Sequence, residues 1–201
     1  MVANQPPRAK TDLRRELLGA RRALSPDSLR TSARALSRSA LELPELLGAR
    51  TVAAYVSVGS EPGTRELLDA LRASGKRVLL PVLLPDNDLD WAAYEGPGSL
   101  AETAHPGKMK LLEPAGPRLG PDAVTGADAV LLPGLAVDRR GMRLGRGGGS
   151  YDRVLERLER AGAHPALVVL LYDHEVVARV PEEPHDHPVR AVATPSGVVR
   201  F

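Results

Sequence analysis

The sequence predicts an α/β fold: one domain over residues 1–201, with a mostly parallel sheet flanked by helices. Three observations carry that expectation. Apolar runs of strand length alternate with segments of helical periodicity, which favours strands laid side by side with crossover helices. A length of 201 residues suits one hydrophobic core, and no repeat, low-complexity stretch or linker divides it. Hydrophobic residues make up 43% but aromatic ones only 3%, so that core must be built from Leu, Val and Ala.

In order along the chain, residues 11–24 place Leu13, Leu17, Ala20 and Leu24 at helical spacing after Pro6 and Pro7. Lys10 and Arg14 lie four apart, hence on one face. Ser25-Pro26-Asp27 supplies an N-cap, a proline at the first helical position and an early acid for a second helix, with Leu29, Ala33, Leu36 and Ala40 inward. Residues 51–58 (TVAAYVSV) read as a strand and 59–63 as its loop, with Thr64 opening a helix that Gly75 ends. Residues 77–84 (RVLLPVLL) form a strand interrupted by Pro81, and 89–94 a third. The Gly/Pro-rich stretch 95–127 reads as ordered loop with short elements. Strand 129–132, a glycine-rich loop, an amphipathic helix through Val154, Leu155 and Leu158, and strand 166–172 (ALVVLLY) follow, with final strands at 189–194 and 198–201.

Several function classes fall away on composition. There is no cysteine, which excludes a disulfide scaffold, a thiol nucleophile and a zinc ribbon. No apolar run approaches the ~20 residues of a membrane span, and MVANQPPRAK lacks a signal-peptide core, so a cytoplasmic protein without a membrane partner is expected. The net charge is only +2, although 23 of the 27 basic residues are arginine, whose planar forks suit carboxylate and phosphate. With few aromatic platforms and arginines mixed among acids, nucleic acid is not expected as a partner.

The chemistry concentrates in Gly141-Met-Arg-Leu-Gly-Arg-Gly-Gly-Gly-Ser-Tyr-Asp152. Five glycines in nine residues let the backbone approach a ligand closely, and the helix starting near Ser150 aims free N–H groups into the loop. Arg143 and Arg146 add positive charge, and the combination suits a polyphosphate. It is not a Walker A loop, because no Gly-Lys-Ser/Thr follows. As a dinucleotide fingerprint it is distant from its strand and has Ser150 where a glycine is wanted; Asp173 would be the ribose acid in that reading. Asp152, in the first helical turn, can complement the dipole or hold Mg²⁺ beside bound phosphates. His185-Asp186-His187, with His174 upstream, fits no zinc spacing, and Asp186 suits a second magnesium contact better. By themselves Lys10, Arg14 and Glu61 read as solvated polar positions.

These stretches, with Lys10-x-x-x-Arg14, Tyr55-x-Ser57-x-x-x-Glu61, Leu132-Pro-Gly-Leu-Ala-Val-Asp138 and Val180-Pro-x-x-Pro-His-Asp186, resemble the signature of the 5-formyltetrahydrofolate cyclo-ligase family (5,10-methenyltetrahydrofolate synthetase). The likeness runs in order over nearly the whole chain. It implies a NagB/Rossmann-like three-layer arrangement and an ATP- and Mg²⁺-dependent cyclisation of 5-formyltetrahydrofolate, acting as a monomer or weak homodimer on a reduced folate. It implies ATP contacts from Lys10, Arg14, Arg143, Leu144, Gly145, Arg146, Gly147, Gly148, Gly149, Ser150 and Tyr151, with Arg146 and Tyr151 catalytic. It implies a folate pocket including Val56, Glu61, Gly148, Gly149 and Tyr151, and metal contacts from Asp152 and Asp186. Three positions depart from the family pattern: Ser150 replaces a usual tyrosine, Glu175 a common glutamine, and Arg190 a second acid linked to magnesium. Arginine cannot ligate a metal, so either Asp186 substitutes or one contact is missing.

Overall fold

The computed structural model describes residues 9–106, 110–183 and 186–201. Helix α1 spans Lys10–Arg22, α2 Pro26–Leu41 and the short α3 Pro44–Leu47. As expected, Ser25 caps α2 by accepting the Ser28 N–H at 3.1 Å. Strand β1 (Thr51–Ala53), helix α4 (Arg65–Ala73), β2 (Arg77–Leu83) and β3 (Leu89–Ala93) follow. A hairpin of β4 (Leu100–Thr103) and β5 (Leu111–Pro114) occupies the stretch read as loop. Then come β6 (Ala129–Pro133), β7 (Ala136–Asp138), β8 (Arg143–Leu144), α5 (Ser150–Arg160), β9 (Ala166–Leu170), β10 (Val176–Val177), β11 (Ala191–Thr194) and β12 (Gly197–Arg200).

Among the described residues the main sheet has seven strands in the order β12-β11-β9-β6-β1-β2-β3. The five inner strands are parallel, and only the edge strands β12 and β3 run antiparallel. The continuous apolar runs are explained by burial on both faces. In β6, Ala129 and Leu131 face α2, α3 and α4, while Val130 and Leu132 face α5 and the 3₁₀ turn Pro121–Gly126. That makes three layers: helices, sheet, helices. Helix α1 stands apart from both, its Leu13 and Leu17 packed on Leu135, Ala136, Leu144 and Val180 beside the small β10-β7-β8 sheet.

Two strand expectations need correction. Residues 51–58 are not one strand: β1 ends at Ala53, and after the Ala54 N–H donates to the Leu79 carbonyl of β2 (2.9 Å) the following backbone groups bond within their own loop. Ser57 N–H donates to Thr64 Oγ1 (2.9 Å), Val58 N–H to Glu61 Oε2 (2.8 Å), and Thr64 Oγ1 donates to the Tyr55 carbonyl (2.7 Å). Conversely, Pro81 does not interrupt β2. Pro81 lies opposite Trp91, whose carbonyl accepts from Leu119 on the far side, so this is a non-hydrogen-bonded pair. The proline nitrogen therefore faces the edge that β1 has already left, where no ladder N–H is needed.

Candidate active site

From β1 the chain crosses through α4 to β2 on one side, and from β6 through α5 to β9 on the other. The winding reverses between β1 and β6, and in open α/β sheets ligands bind outside the carboxyl ends of the strands at that reversal. The loop after β1 brings Tyr55, Val56, Val58 and Glu61 there, and the turn after β6 brings Pro133 and Gly134. A cavity of about 530 Å³ lies between them.

The glycine-rich segment closes this cavity. Its first part is a hairpin rather than loop: β7 pairs antiparallel with β8, and buried Asp138 accepts the Arg140, Met142 and Val180 N–H groups at 2.9, 3.2 and 3.0 Å. At Gly141 (φ +79°) a Cβ would stand 2.5 Å from the Val189 carbonyl oxygen, so the turn admits no side chain. Gly149, at φ +76°, redirects the chain into α5. No side chain caps that helix, and its first-turn N–H groups are left for a ligand.

Charged groups surround the loop in cross-paired fashion. Arg143, mostly buried, donates Nη1 to the Pro133 carbonyl (3.0 Å) and Nη2 to Asp152 Oδ1 (3.0 Å). Its Nε is buried with no partner among the described residues. Burial pushes the Arg143 pKa down, with Asp152 and Tyr151 acting against it, yet a guanidinium remains charged under such conditions. Arg14 Nε donates to the Gly145 carbonyl at 2.9 Å, tying α1 to the loop. Lys10 Nζ lies 2.8 Å from Asp186 and 3.0 Å from Glu183. Burial would lower the Lys10 pKa, but the two carboxylates outweigh it and raise it. Lys10, Arg14, Leu144 and Asp186 line a second cavity of about 180 Å³. Arg143, Gly145, Gly147, Gly149 and Asp152 line both.

The larger cavity is apolar on its far side, where Pro81, Leu83, Leu89, Leu111 and Leu112 form a wall. Buried Glu113 holds the β4–β5 hairpin against it by accepting the Leu83 N–H and meeting His105 Nε2, both at 2.9 Å. On the near side Arg146 Nη1 meets Glu61 Oε1 at 3.2 Å. Burial raises the Glu61 pKa, against the Val58 N–H and Arg146, which lower it. The Tyr151 hydroxyl is buried with no partner among the described residues, and burial followed by Glu61 raises its pKa, so it is a proton-bearing phenol. Every residue singled out above for ATP, folate or metal lines one of these two adjoining cavities.

Other positions lie elsewhere. Asp173, the ribose acid of the dinucleotide reading, accepts the Ser196 N–H at 3.0 Å in the region of the β11–β12 turn and lines neither cavity. His174 stacks on Tyr172, His187 lies 3.7 Å from Glu159, and His185 falls outside the described residues. Arg190 is exposed and donates its N–H to Leu167, away from both cavities, whereas Asp186 lines the smaller one. Among the described residues no group of three or more His or acidic side chains forms a metal cage. Asp152 and Asp186, on a small cavity that Lys10, Arg14 and Arg143 also line, do fit Mg²⁺, which takes one or two carboxylates and completes its shell with phosphate oxygens and water. The sequence reading missed the apolar wall, Glu113 and the buried pair Arg21–Glu175. A lone acid following two leucines is the only local hint of Glu113.

Comparison with known proteins agrees with this architecture. A sequence model of the 5-formyltetrahydrofolate cyclo-ligase family matches residues 7–195. The chain is 42% identical over 199 residues to a 5-formyltetrahydrofolate cyclo-ligase of Mycolicibacterium smegmatis, covering 96% of this chain and 97% of that one. It is 33% identical over 180 residues to the enzyme of the same name from Escherichia coli, covering 89% and 96%. The solution structure of Aquifex aeolicus 5,10-methenyltetrahydrofolate synthetase superposes with a TM-score of 0.78 at 28% identity, over 95% of this chain and 92% of that one. The chain belongs to the 5-formyltetrahydrofolate cyclo-ligase family.

Proposed function

We propose that this protein converts 5-formyltetrahydrofolate to 5,10-methenyltetrahydrofolate, consuming ATP with Mg²⁺ and releasing ADP and phosphate, in the cytoplasm. The observation that carries the reading is the meeting of two cavities on one glycine-rich loop: a small one lined by three basic and three acidic side chains (Lys10, Arg14 and Arg143 with Asp152, Glu183 and Asp186) and a larger one with an apolar wall. A triphosphate in the first would have its terminal phosphoryl group beside a flat, largely apolar substrate in the second.

A formyl amide oxygen is a poor leaving group, and the reaction needs it phosphorylated. The formyl oxygen attacks the γ-phosphorus, the bond to the β,γ-bridging oxygen breaks, and ADP leaves. The folate's second nitrogen then attacks the activated carbon and loses its proton, and the C–O bond breaks to release phosphate. The protein's part is positioning and charge neutralisation. Lys10, Arg14 and Arg143 bind the phosphates, and the free N–H groups at Ser150 and Tyr151 add oriented donors. Arg146, on the larger cavity between Gly145 and Gly147 that line both, neutralises the phosphoryl group in transfer. Glu61 accepts hydrogen bonds from the pterin, and the Tyr151 hydroxyl donates to the substrate. Asp152 and Asp186 would hold Mg²⁺, which supplies neutralisation of the phosphate oxygens when bound. The apolar wall excludes water that would hydrolyse the activated formyl group.

The test follows near-ultraviolet absorbance of the methenyl product after 5-formyltetrahydrofolate, ATP and Mg²⁺ are added to the purified protein. An ATP-dependent rise is expected. A flat trace from folded protein that still binds ATP would overturn the folate assignment and point to another amide or carboxylate.

A further inference from the structure

Three cations of α1 lie on one face: Lys10, Arg14 and Arg21, at spacings of four and seven, within about 40° of one another around the axis. The first two face the small cavity. The third turns inward and is fully buried. Arg21 Nε donates to Glu175 Oε1 at 2.6 Å and Nη2 to Oε2 at 2.9 Å, while Nη2 also donates to the Gly134 carbonyl at 2.6 Å. Both side chains of the pair are 0% exposed. Glu175 Oε2 further accepts the Tyr172 N–H at 3.0 Å. The Arg21 guanidinium stands 5.7 Å from the Tyr172 ring centroid, and the Tyr172 hydroxyl donates to the Ser60 carbonyl at 3.1 Å, next to Glu61.

One buried network therefore joins α1, the turn after β6, the turn after β9 and the loop after β1. Two of these carry groups assigned above to opposite subsites: Lys10 and Arg14 to ATP, Glu61 to folate. A buried ion pair is weak evidence for stability, since apolar residues of similar volume commonly serve as well. What a two-pronged guanidinium–carboxylate pair adds is geometry, because its planar fork admits a single orientation. Here it fixes how far α1 is rotated and how high it sits. Arg21 also adds to the charges that oppose the burial of Glu61.

Building on the function proposed above, we propose that Arg21, Glu175 and Tyr172 are positioning residues of the site. The Arg21–Glu175 pair sets the placement of Lys10 and Arg14, and the Tyr172 hydroxyl sets the loop that carries Glu61. The two arms serve different substrates and separate in kinetics.

The experiment compares the full chain with Glu175→Ala, Arg21→Lys and Tyr172→Phe, measuring KM for each substrate, kcat, and ATP affinity by calorimetry without turnover. Glu175→Ala removes both acceptor oxygens of the pair, and Arg21→Lys keeps the charge but removes the fork. Both are expected to raise the ATP KM and Kd about tenfold while the folate KM stays within about twofold. Tyr172→Phe, which deletes one hydroxyl, is expected to raise the folate KM about fivefold and leave the ATP Kd unchanged. Folded variants with both constants at the wild-type level would overturn the proposal, as would both constants rising together in Tyr172→Phe. If the wild-type chain lacks cyclo-ligase activity, the function above fails, and ATP affinity alone decides the nucleotide arm.

Discussion

Arg146→Ala separates catalytic from structural roles at the centre of the site. The Arg146 side chain is 44% exposed, and its ion-pair partner is Glu61 at 3.2 Å. Glu61 is only 9% exposed, but its carboxylate keeps the Val58 N–H when the half-exposed guanidinium is removed, so the loss is expected to stay near the upper end of a surface pair, about 1 kcal/mol. For a chain of this length 1 kcal/mol moves Tm by roughly 2–4 °C, so the variant is expected to melt within about 4 °C of wild type. Its effect on turnover should be far larger. A cation aimed at a transferring phosphoryl group acts where charge develops, and removing such a donor costs about 10²–10³ in kcat, or roughly 2.7–4 kcal/mol. The assay is steady-state formation of the methenyl product at saturating Mg²⁺, with each substrate varied in turn, alongside a thermal melt. A fall of about 100-fold or more in kcat with an almost unchanged melt is the expected result. Wild-type kcat from folded protein would remove Arg146 from the mechanism, and an activity loss matched by a large Tm drop would make it structural.

Asp152→Asn is expected to raise the Mg²⁺ concentration that half-saturates activity, and a wild-type magnesium titration would strip Asp152 of its metal role. Asp138→Ala leaves three backbone N–H groups without their acceptor; at ~1–3 kcal/mol for a buried unsatisfied donor, the loss is about 3 kcal/mol or more, read as a large drop in urea midpoint. Burial would raise the Asp138 pKa, but its N–H and guanidinium donors hold it below the ordinary 3.8, so its stabilisation is present above that pH and fades as acid is added through the folded value. Glu61 has the opposite sign. Its folded pKa is raised above 4.5, so its contribution is present below 4.5 and lost as pH rises through the folded value; Glu61→Gln should therefore be at least as stable as wild type near pH 7 while binding folate less well. A Glu61→Gln protein that melts lower at neutral pH and at the same temperature in acid would contradict that sign.

Local chemistry made much of this protein legible. Helix α2 was readable from Ser25 and Pro26, and α5 from the apolar spacing of Val154, Leu155 and Leu158, because capping and helical periodicity act over a few residues. The runs forming β6 and β9 were readable because strands buried on both faces are apolar throughout. The loop from Gly141 to Asp152 stood out as a candidate phosphate-binding segment through glycines, arginines and a helix start, and the resemblance implied roles for Lys10, Arg14 and Glu61 that their own surroundings in the chain do not suggest.

Tertiary structure decided the rest, wherever the partner of a group lies far along the chain. Pro81 sits inside β2 only because β1 ends early beside it, which no property of residues 77–84 announces. The β4–β5 hairpin has no periodicity of its own and is held to β2 through Glu113, 30 residues from the Leu83 N–H it accepts. Arg21 and Glu175 are 154 residues apart, and either alone reads as one more surface charge. Burying such a pair needs a bidentate partner and further hydrogen bonds that only the folded chain delivers, here the Gly134 carbonyl to Arg21 and the Tyr172 N–H to Glu175, with Arg21 Nη1 left without a partner among the described residues. The sequence by itself therefore determined the main helices and the buried parallel strands and singled out the glycine-rich loop; the meeting of those segments at the β1/β6 reversal decided which charges line the cavities and which are locked beneath them.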